Sequence, residues 1–232
     1  EAGLSHFLEH MLFKGASRRP TAREISEAIE SVGGSHNAAT DRELTVYYAK
    51  VPHTAAMETI DILADMIRAP IMDPAELEKE RSVILEELAS VEDSPGELAG
   101  ILIDETLWPG QPIGRNVGGS PDSVSSLPIS AVNAYLARQY VPENTVLAVA
   151  GNVNHEEVVA AAERWLGAVP KQAPGAWYPA TARNGTVRFA LRQKETEQAH
   201  ICLAYPSVSL SDPDRYAVDL LSTVLGEGMS SR

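Results

Sequence analysis

His6-Phe7-Leu8-Glu9-His10 lies in a stretch, Leu4 to Phe13, with helical apolar spacing. Leu4, Leu8, Met11 and Leu12 share one face of such a helix, and His6, Glu9 and His10 share another. Histidines four residues apart stand one turn apart, so both imidazoles can converge on one tetrahedral zinc ion at about 2.0–2.1 Å each. Glu9 points the same way. A carboxylate that sits beside such an ion without binding it can take a proton from water and deliver it to a leaving amine. The order His-x-x-Glu-His inverts the zinc motif His-Glu-x-x-His. By itself the motif is also compatible with two solvated histidines on a surface helix, and a third ligand is what separates the two.

The next candidate ligands come from a second helix. Asp73-Pro74 is a helix-start signal, and the spacing predicts a helix from there to about Val91. Leu77, Ile84, Leu88 and Val91 form its apolar stripe, while Glu76, Glu80, Glu86 and Glu87 stud the rest. Residues seven apart differ by about 20° in direction, so Glu80 and Glu87 face together. One of the two can complete a three-ligand site that keeps an open position for water. The other, two turns away, can hold a ligand histidine's proton or position the base.

Outward from these helices, Thr21 and Glu24 make a capping box, and Ile25, Ala28, Ile29 and Val32 continue at helical spacing to Gly33-Gly34. Thr45 to Tyr48 are strand formers, and Ser35 to Thr40 is a short polar run suited to a neighbouring edge strand. Further helices are expected at about His53–Arg68, Leu98–Leu107, Ile129–Gln139, His155–Leu166 (capped by Asn154) and from Asp212-Pro213 to Gly226. The His53–Arg68 helix carries a stripe of Met57, Ile60, Leu63, Ala64 and Ile67. Strands are expected at Thr145–Gly151, buried, and at Thr186–Leu191 and Ala199–Tyr205; Gly167 to Gly185, rich in proline, reads as a connector. Irregular alternation of strands and helices predicts an α+β fold, helices on a mainly antiparallel β-sheet. The domain boundary is expected near 124, with a metal-binding segment over 1–124 and a second segment over 125–232.

Composition narrows the function classes. The 232 residues, 44% of them hydrophobic, can bury a sizeable core, and no apolar run approaches the roughly 20 residues that span a bilayer. A net charge of −13 without any Lys/Arg stripe disfavours nucleic acid. Cys202 is the only cysteine, which excludes an intrachain disulfide and a multi-cysteine zinc site; a small buried apolar role in its strand is expected. The chain opens directly on Glu1-Ala2-Gly3-Leu4-Ser5-His6 and trails off after Gly226, so it is expected to be a piece cut at its N-terminus. It is expected to be soluble, cytoplasmic or periplasmic if bacterial.

Three blocks together, His6-Phe7-Leu8-Glu9-His10-Met11-Leu12-Phe13-Lys14-Gly15, Asn37-Ala38-Ala39-Thr40-Asp41-Arg42-Glu43 and Glu80-Arg81-Ser82-Val83-Ile84-Leu85-Glu86-Glu87, resemble the pitrilysin, insulinase and mitochondrial processing peptidase family. Pro112-Ile113-Gly114-Arg115-Asn116, Gly119-Ser120-Pro121 and Tyr140-Val141-Pro142-Glu143-Asn144 extend the likeness along the chain. The resemblance implies His6 and His10 as zinc ligands, Glu9 as general base, Glu87 as third ligand and Glu80 as the supporting acidic residue, with one zinc per chain. Glu86 is the fallback for Glu87, since spacing alone does not separate neighbours. Asn37 and Ala38 fall where the family has an edge strand that pairs with an extended peptide substrate. The family is built as a clamshell of two homologous halves, of which this chain resembles the first, with the opening of the second from about residue 188. The arginine and tyrosine that the second half contributes to substrate lie outside this sequence, and a homodimer is among the family's arrangements. The resemblance therefore implies a zinc-dependent endopeptidase acting on extended peptides or precursor segments. A non-catalytic partner or assembly subunit of the same fold is the alternative.

Overall fold

The computed structural model describes residues 2–176, 178–181 and 188–232. Helix α1 (Leu4–Leu12) buries Leu4, Phe7, Leu8, Met11 and Leu12, so its apolar face is fully used. That face meets α4 (Pro74–Asp93), whose Leu77, Ile84 and Leu88 complete the same core cluster. Helix α4 begins where the Asp73 side chain accepts the Ala75 N–H at 2.8 Å, with Pro74 in the first turn, where its missing N–H costs nothing. Val124, Leu127 and Val132 close the cluster from α6 (Pro121–Ser125), the turn after it, and α7 (Ile129–Gln139).

A second, smaller cluster joins α2 (Ala22–Glu30) to α3 (Ala56–Arg68) through Ile25, Ile29, Ile62 and Met66. Both halves of the Thr21–Glu24 capping box are formed. In α3 the buried set reaches beyond the expected stripe to Ile62 and Met66, because this helix is contacted by α2, the sheet and α8 (His155–Leu166) rather than on one side only. The loop after α1 is tied to α3 by buried charge: the Arg18 N–H donates to Asp65 Oδ2 at 3.0 Å, and Arg19 bonds Asp61 at 3.2 Å. The Arg18 guanidinium also lies 4.4 Å from the ring centroid of Trp165 on α8. The remaining helices are α5 (Pro95–Leu107) and α9 (Arg215–Gly226).

Strands β1 (Ser35–Thr40) and β2 (Thr45–Lys50) form an antiparallel hairpin in which Thr40 faces Thr45 and Ala38 faces Tyr47. Burial alternates along both, so His36, Ala38 and Thr40 share the inward face with Thr45, Tyr47 and Ala49. Helices α1 and α2 pack near this hairpin. The fold is thus mixed helix and antiparallel sheet, as expected, but the sheet among the described residues has two strands only.

The other expected strands are corrected. Among the described residues Thr145–Ala150 forms no ladder, with Val146 90% exposed, and Ala199–Tyr205 and 188–191 are likewise unpaired; Thr186 and Val187 lie outside the described residues. Cys202, expected to be buried, is exposed. Strand propensity describes a side-chain preference, whereas a strand exists only when another strand takes its N–H and C=O groups. Among the described residues no helix is long and apolar enough to cross a membrane.

The start of α1 is held by a close backbone approach. Gly3 has φ +86°, and a Cβ there would stand 2.6 Å from the Gly118 carbonyl oxygen. Reciprocally, Gly119 (φ +84°) would place a Cβ 2.7 Å from the Ala2 carbonyl oxygen. The Ser123 hydroxyl donates to that same oxygen at 3.0 Å. The α1–α4 seam should dominate stability: Ile84→Ala is expected to cost about 2–5 kcal/mol in chemical denaturation, and Val83→Ala on the exposed face to stay within about 0.5 kcal/mol.

Candidate functional site

Packing α1 against α4 leaves the polar edge of each helix side by side. His6, His10 and Glu87 each offer a ligand atom, and these atoms lie within 4.8 Å of one another. Glu87 Oε2 is 3.8 Å from His6 Nε2 and 3.7 Å from His10 Nε2. The two imidazoles stand edge to face, with centroids 4.7 Å apart and planes at 74°. Their side chains are about one-fifth exposed and that of Glu87 about half, so the cluster opens to solvent on the glutamate side. Glu86 is exposed and is not part of the cluster.

Behind the cluster stands Glu80, the buried carboxylate of α4. Its Oε2 is 3.0 Å from His10 Nδ1, and its Oε1 is 2.6 Å from Lys14 Nζ. A buried carboxylate with both oxygens engaged is far less costly than an unpaired one. The arrangement also sets the tautomer of His10. Nδ1–H donates to Glu80, which leaves the Nε2 lone pair facing His6 and Glu87. His6 has no such support: its Nδ1 is buried without a hydrogen-bond partner, next to Gly118. Burial, followed by the nearby His10, pushes the His6 pKa down, which favours the neutral ring that a metal requires.

Glu9 borders the cluster from the same helix and accepts a hydrogen bond on Oε2 from the Thr40 hydroxyl of β1. Thr40 and Thr45 hydroxyls are 3.2 Å apart, and Tyr47, on the same inward face, has its phenol 2.9 Å from that of Tyr140. Asn37 and Ala38 lie on the same strand as Thr40. Asn37 is exposed, and its Oδ1 accepts the Ala38 N–H at 2.9 Å. Thus five of the seven residues singled out in the sequence, His6, Glu9, His10, Glu80 and Glu87, gather where α1 meets α4, and the other two stand on the neighbouring strand.

Sequence reasoning missed Lys14, Thr40 and Tyr140. Lys14 carried a signal, since it follows His10 by one helical turn and so falls on the ligand side. Thr40 carried a weaker one, as the inward end of an alternating strand. Tyr140 carried only its place in the block Tyr140 to Asn144, because its contact with Tyr47 is a matter of how the end of α7 packs.

The geometry can be set beside known proteins. A family model for insulinase, peptidase family M16, matches residues 1–120, and one for the peptidase M16 inactive domain matches residues 126–232. An uncharacterized zinc protease of Streptomyces coelicolor is 40% identical over 99% of this chain and 51% of its own length. The uncharacterized zinc protease YmxG of Bacillus subtilis is 36% identical over 99% of this chain and 55% of its own. The chain therefore spans about half the length of the curated relatives it matches. Among solved structures, a protease from Helicobacter pylori superposes with a TM-score of 0.85 at 22% identity, covering 99% of this chain and 56% of that one, a likeness of fold alone. Pitrilysin matches with a TM-score of 0.66 at 28% identity, covering 78% of this chain and 20% of its own. With a family model over more than half its residues and the cluster of α1 and α4 residues in that same segment, the chain belongs to the insulinase family of peptidases, family M16.

Proposed function

We propose that this chain carries the metal-binding half of a zinc-dependent endopeptidase that hydrolyses extended peptides or processes precursor segments. The observation that supports this most is the convergence of His6, His10 and Glu87 beside a carboxylate, Glu9, that is not one of the three. Ligands at about 2.0–2.1 Å from a tetrahedral zinc stand about 3.4 Å from one another. The observed 3.7 and 3.8 Å need to contract by only a few tenths of an ångström. Two imidazoles and one carboxylate, open on one side, are also the donor set of a catalytic rather than a structural zinc site. The relatives named zinc proteases support the same metal.

In this reading one zinc per chain is held by His6, His10 and Glu87, and it supplies Lewis acidity toward the scissile carbonyl. Glu80 keeps His10 in the tautomer that binds through Nε2, and Lys14 holds Glu80 in place. Glu9 takes a proton from the attacking water and returns it to the leaving nitrogen as the C–N bond breaks. Strand β1, through Asn37 and Ala38, pairs with the peptide backbone; the Asn37 Oδ1 that occupies the Ala38 N–H is the kind of acceptor a substrate carbonyl replaces. A second homologous half faces this one across the substrate.

A second reading, a non-catalytic partner or assembly subunit, draws on the match of residues 126–232 to a domain described as inactive. Metal content separates the two. Elemental analysis should find about one zinc per chain and its loss in His10→Ala; folded protein without zinc would favour the partner reading. In the full-length polypeptide, Glu9→Gln should keep zinc and lose at least about 10²-fold in turnover of a quenched peptide. Unimpaired turnover in a zinc-loaded Glu9→Gln protein would remove Glu9 from its role. Competition with a chelating dye should show Glu87→Gln weakening zinc more than Glu86→Gln, and Glu80→Gln weakening it by about 10–100-fold; the reverse order at 86 and 87 would move the third ligand by one residue.

A further inference from the structure

Behind Glu9 the hairpin's inward face carries two hydroxyl pairs that the peptidase reading leaves unused, Thr40 with Thr45 and Tyr47 with Tyr140. Thr40 donates to Glu9 Oε2; Thr45 stands 3.2 Å from Thr40; Tyr47 stands 2.9 Å from Tyr140. The hairpin register explains the first part, since Thr40 lies opposite Thr45, and Tyr47 follows on the same face two residues later. Tyr140 enters from the end of α7, in the segment matched by the second family model.

Proton inventory fixes the direction of both bonds at Thr40. A hydroxyl owns one proton, and a carboxylate only accepts. The Thr40 proton therefore goes to Glu9, and Thr40 must accept from Thr45. The carboxylate at the head thus aligns two donors, and aligned donors strengthen one another in a poorly solvated setting. Both phenols keep their protons: burial pushes Tyr140 up to about 12 and drives Tyr47 upward as well.

We propose that Thr40 is the positioning residue of Glu9: backed by Thr45, it anchors one carboxylate oxygen, Oε2, and so aims the other, Oε1, at the reacting water. The proposal rests on Glu9 acting as the base. It adds that the base is oriented by the hairpin. A carboxylate free to rotate would present either oxygen in many directions and lose part of the advantage of a fixed geometry.

The test uses the full-length polypeptide with Thr40→Val, which removes the hydroxyl at nearly constant shape, with Thr40→Ser, which restores it, and with Thr45→Val, which removes the donor behind it. Thr40→Val should lower kcat by about 10–100-fold with KM and zinc content unchanged. Thr40→Ser should recover most of that, and Thr45→Val should fall between Thr40→Val and wild type. A second readout needs no turnover: the drop in Tm caused by Thr40→Val should shrink when Glu9→Ala is already present. Zinc-loaded Thr40→Val with wild-type kcat, or a Tm drop that is the same in both backgrounds, overturns the proposal. Wild-type protein without zinc or turnover would instead overturn the peptidase reading, and the Tm cycle would then decide by itself whether Thr40 holds Glu9.

Discussion

The seam between α1 and α4 is the contact on which the rest of the site depends. Phe7, Leu8 and Met11 on one helix and Leu77, Ile84 and Leu88 on the other are nearly inaccessible to water and belong to one cluster. Because a helix presents a new side chain about every 100°, residues adjoining a buried stripe are carried to its rim. On α1 those residues are His6, Glu9 and His10; on α4 they are Glu80 and Glu87. Burying the apolar stripes therefore brings the donor atoms together as a by-product of the core. The glycine contacts at Gly3 and Gly119 add a second constraint, holding the first turn of α1 against the backbone that leads into α6.

Charge within this seam is graded by burial. Glu80, deepest, is matched on both oxygens by His10 and Lys14; Glu87, half exposed, keeps long 3.7 and 3.8 Å separations from the imidazoles. A buried acid without partners would lose more in desolvation than it could gain, so the tight pairing of Glu80 is what allows an acid in the core at all. The openness of Glu87 has the opposite consequence. A carboxylate at the rim can shift by tenths of an ångström without disturbing the core, which suits the ligand role proposed for Glu87.

The hairpin contributes rigidity to the other side of Glu9. Its inward face offers hydroxyls, where the seam offers alkyl groups, and Tyr140 links that face to α7. Residues from both family-model segments thus meet where Tyr47 touches Tyr140. By contrast, Thr145–Ala150, Ala199–Tyr205 and α9 expose much of their apolar surface, with Ile201, Leu203 and Tyr205 about four-fifths exposed. Their sequence has the character of strands and an amphipathic helix, and what is missing around them is pairing, not propensity.

Local sequence determined the helices and their polar edges. Caps at Thr21, Asp73 and Asn154, proline at Pro74 and apolar spacing act over a few residues, so they can be read without knowing the fold, and α1, α4, α7 and α8 follow them closely. The motif of His6, Glu9 and His10 is local for the same reason, and Glu80 and Glu87 were legible as a pair because seven residues make nearly two whole turns. Tertiary structure alone decided that Glu87 rather than Glu86 approaches the histidines, that Lys14 reaches Glu80, and that Tyr140 meets Tyr47 on the hairpin. It also decided that the expected strands beyond the hairpin find no ladder partner among the described residues. The contacts lie between segments 66 to 93 residues apart in the chain, such as Glu80 with Lys14 and Tyr140 with Tyr47. Periodicity says which face a residue occupies, and only packing says what that face meets.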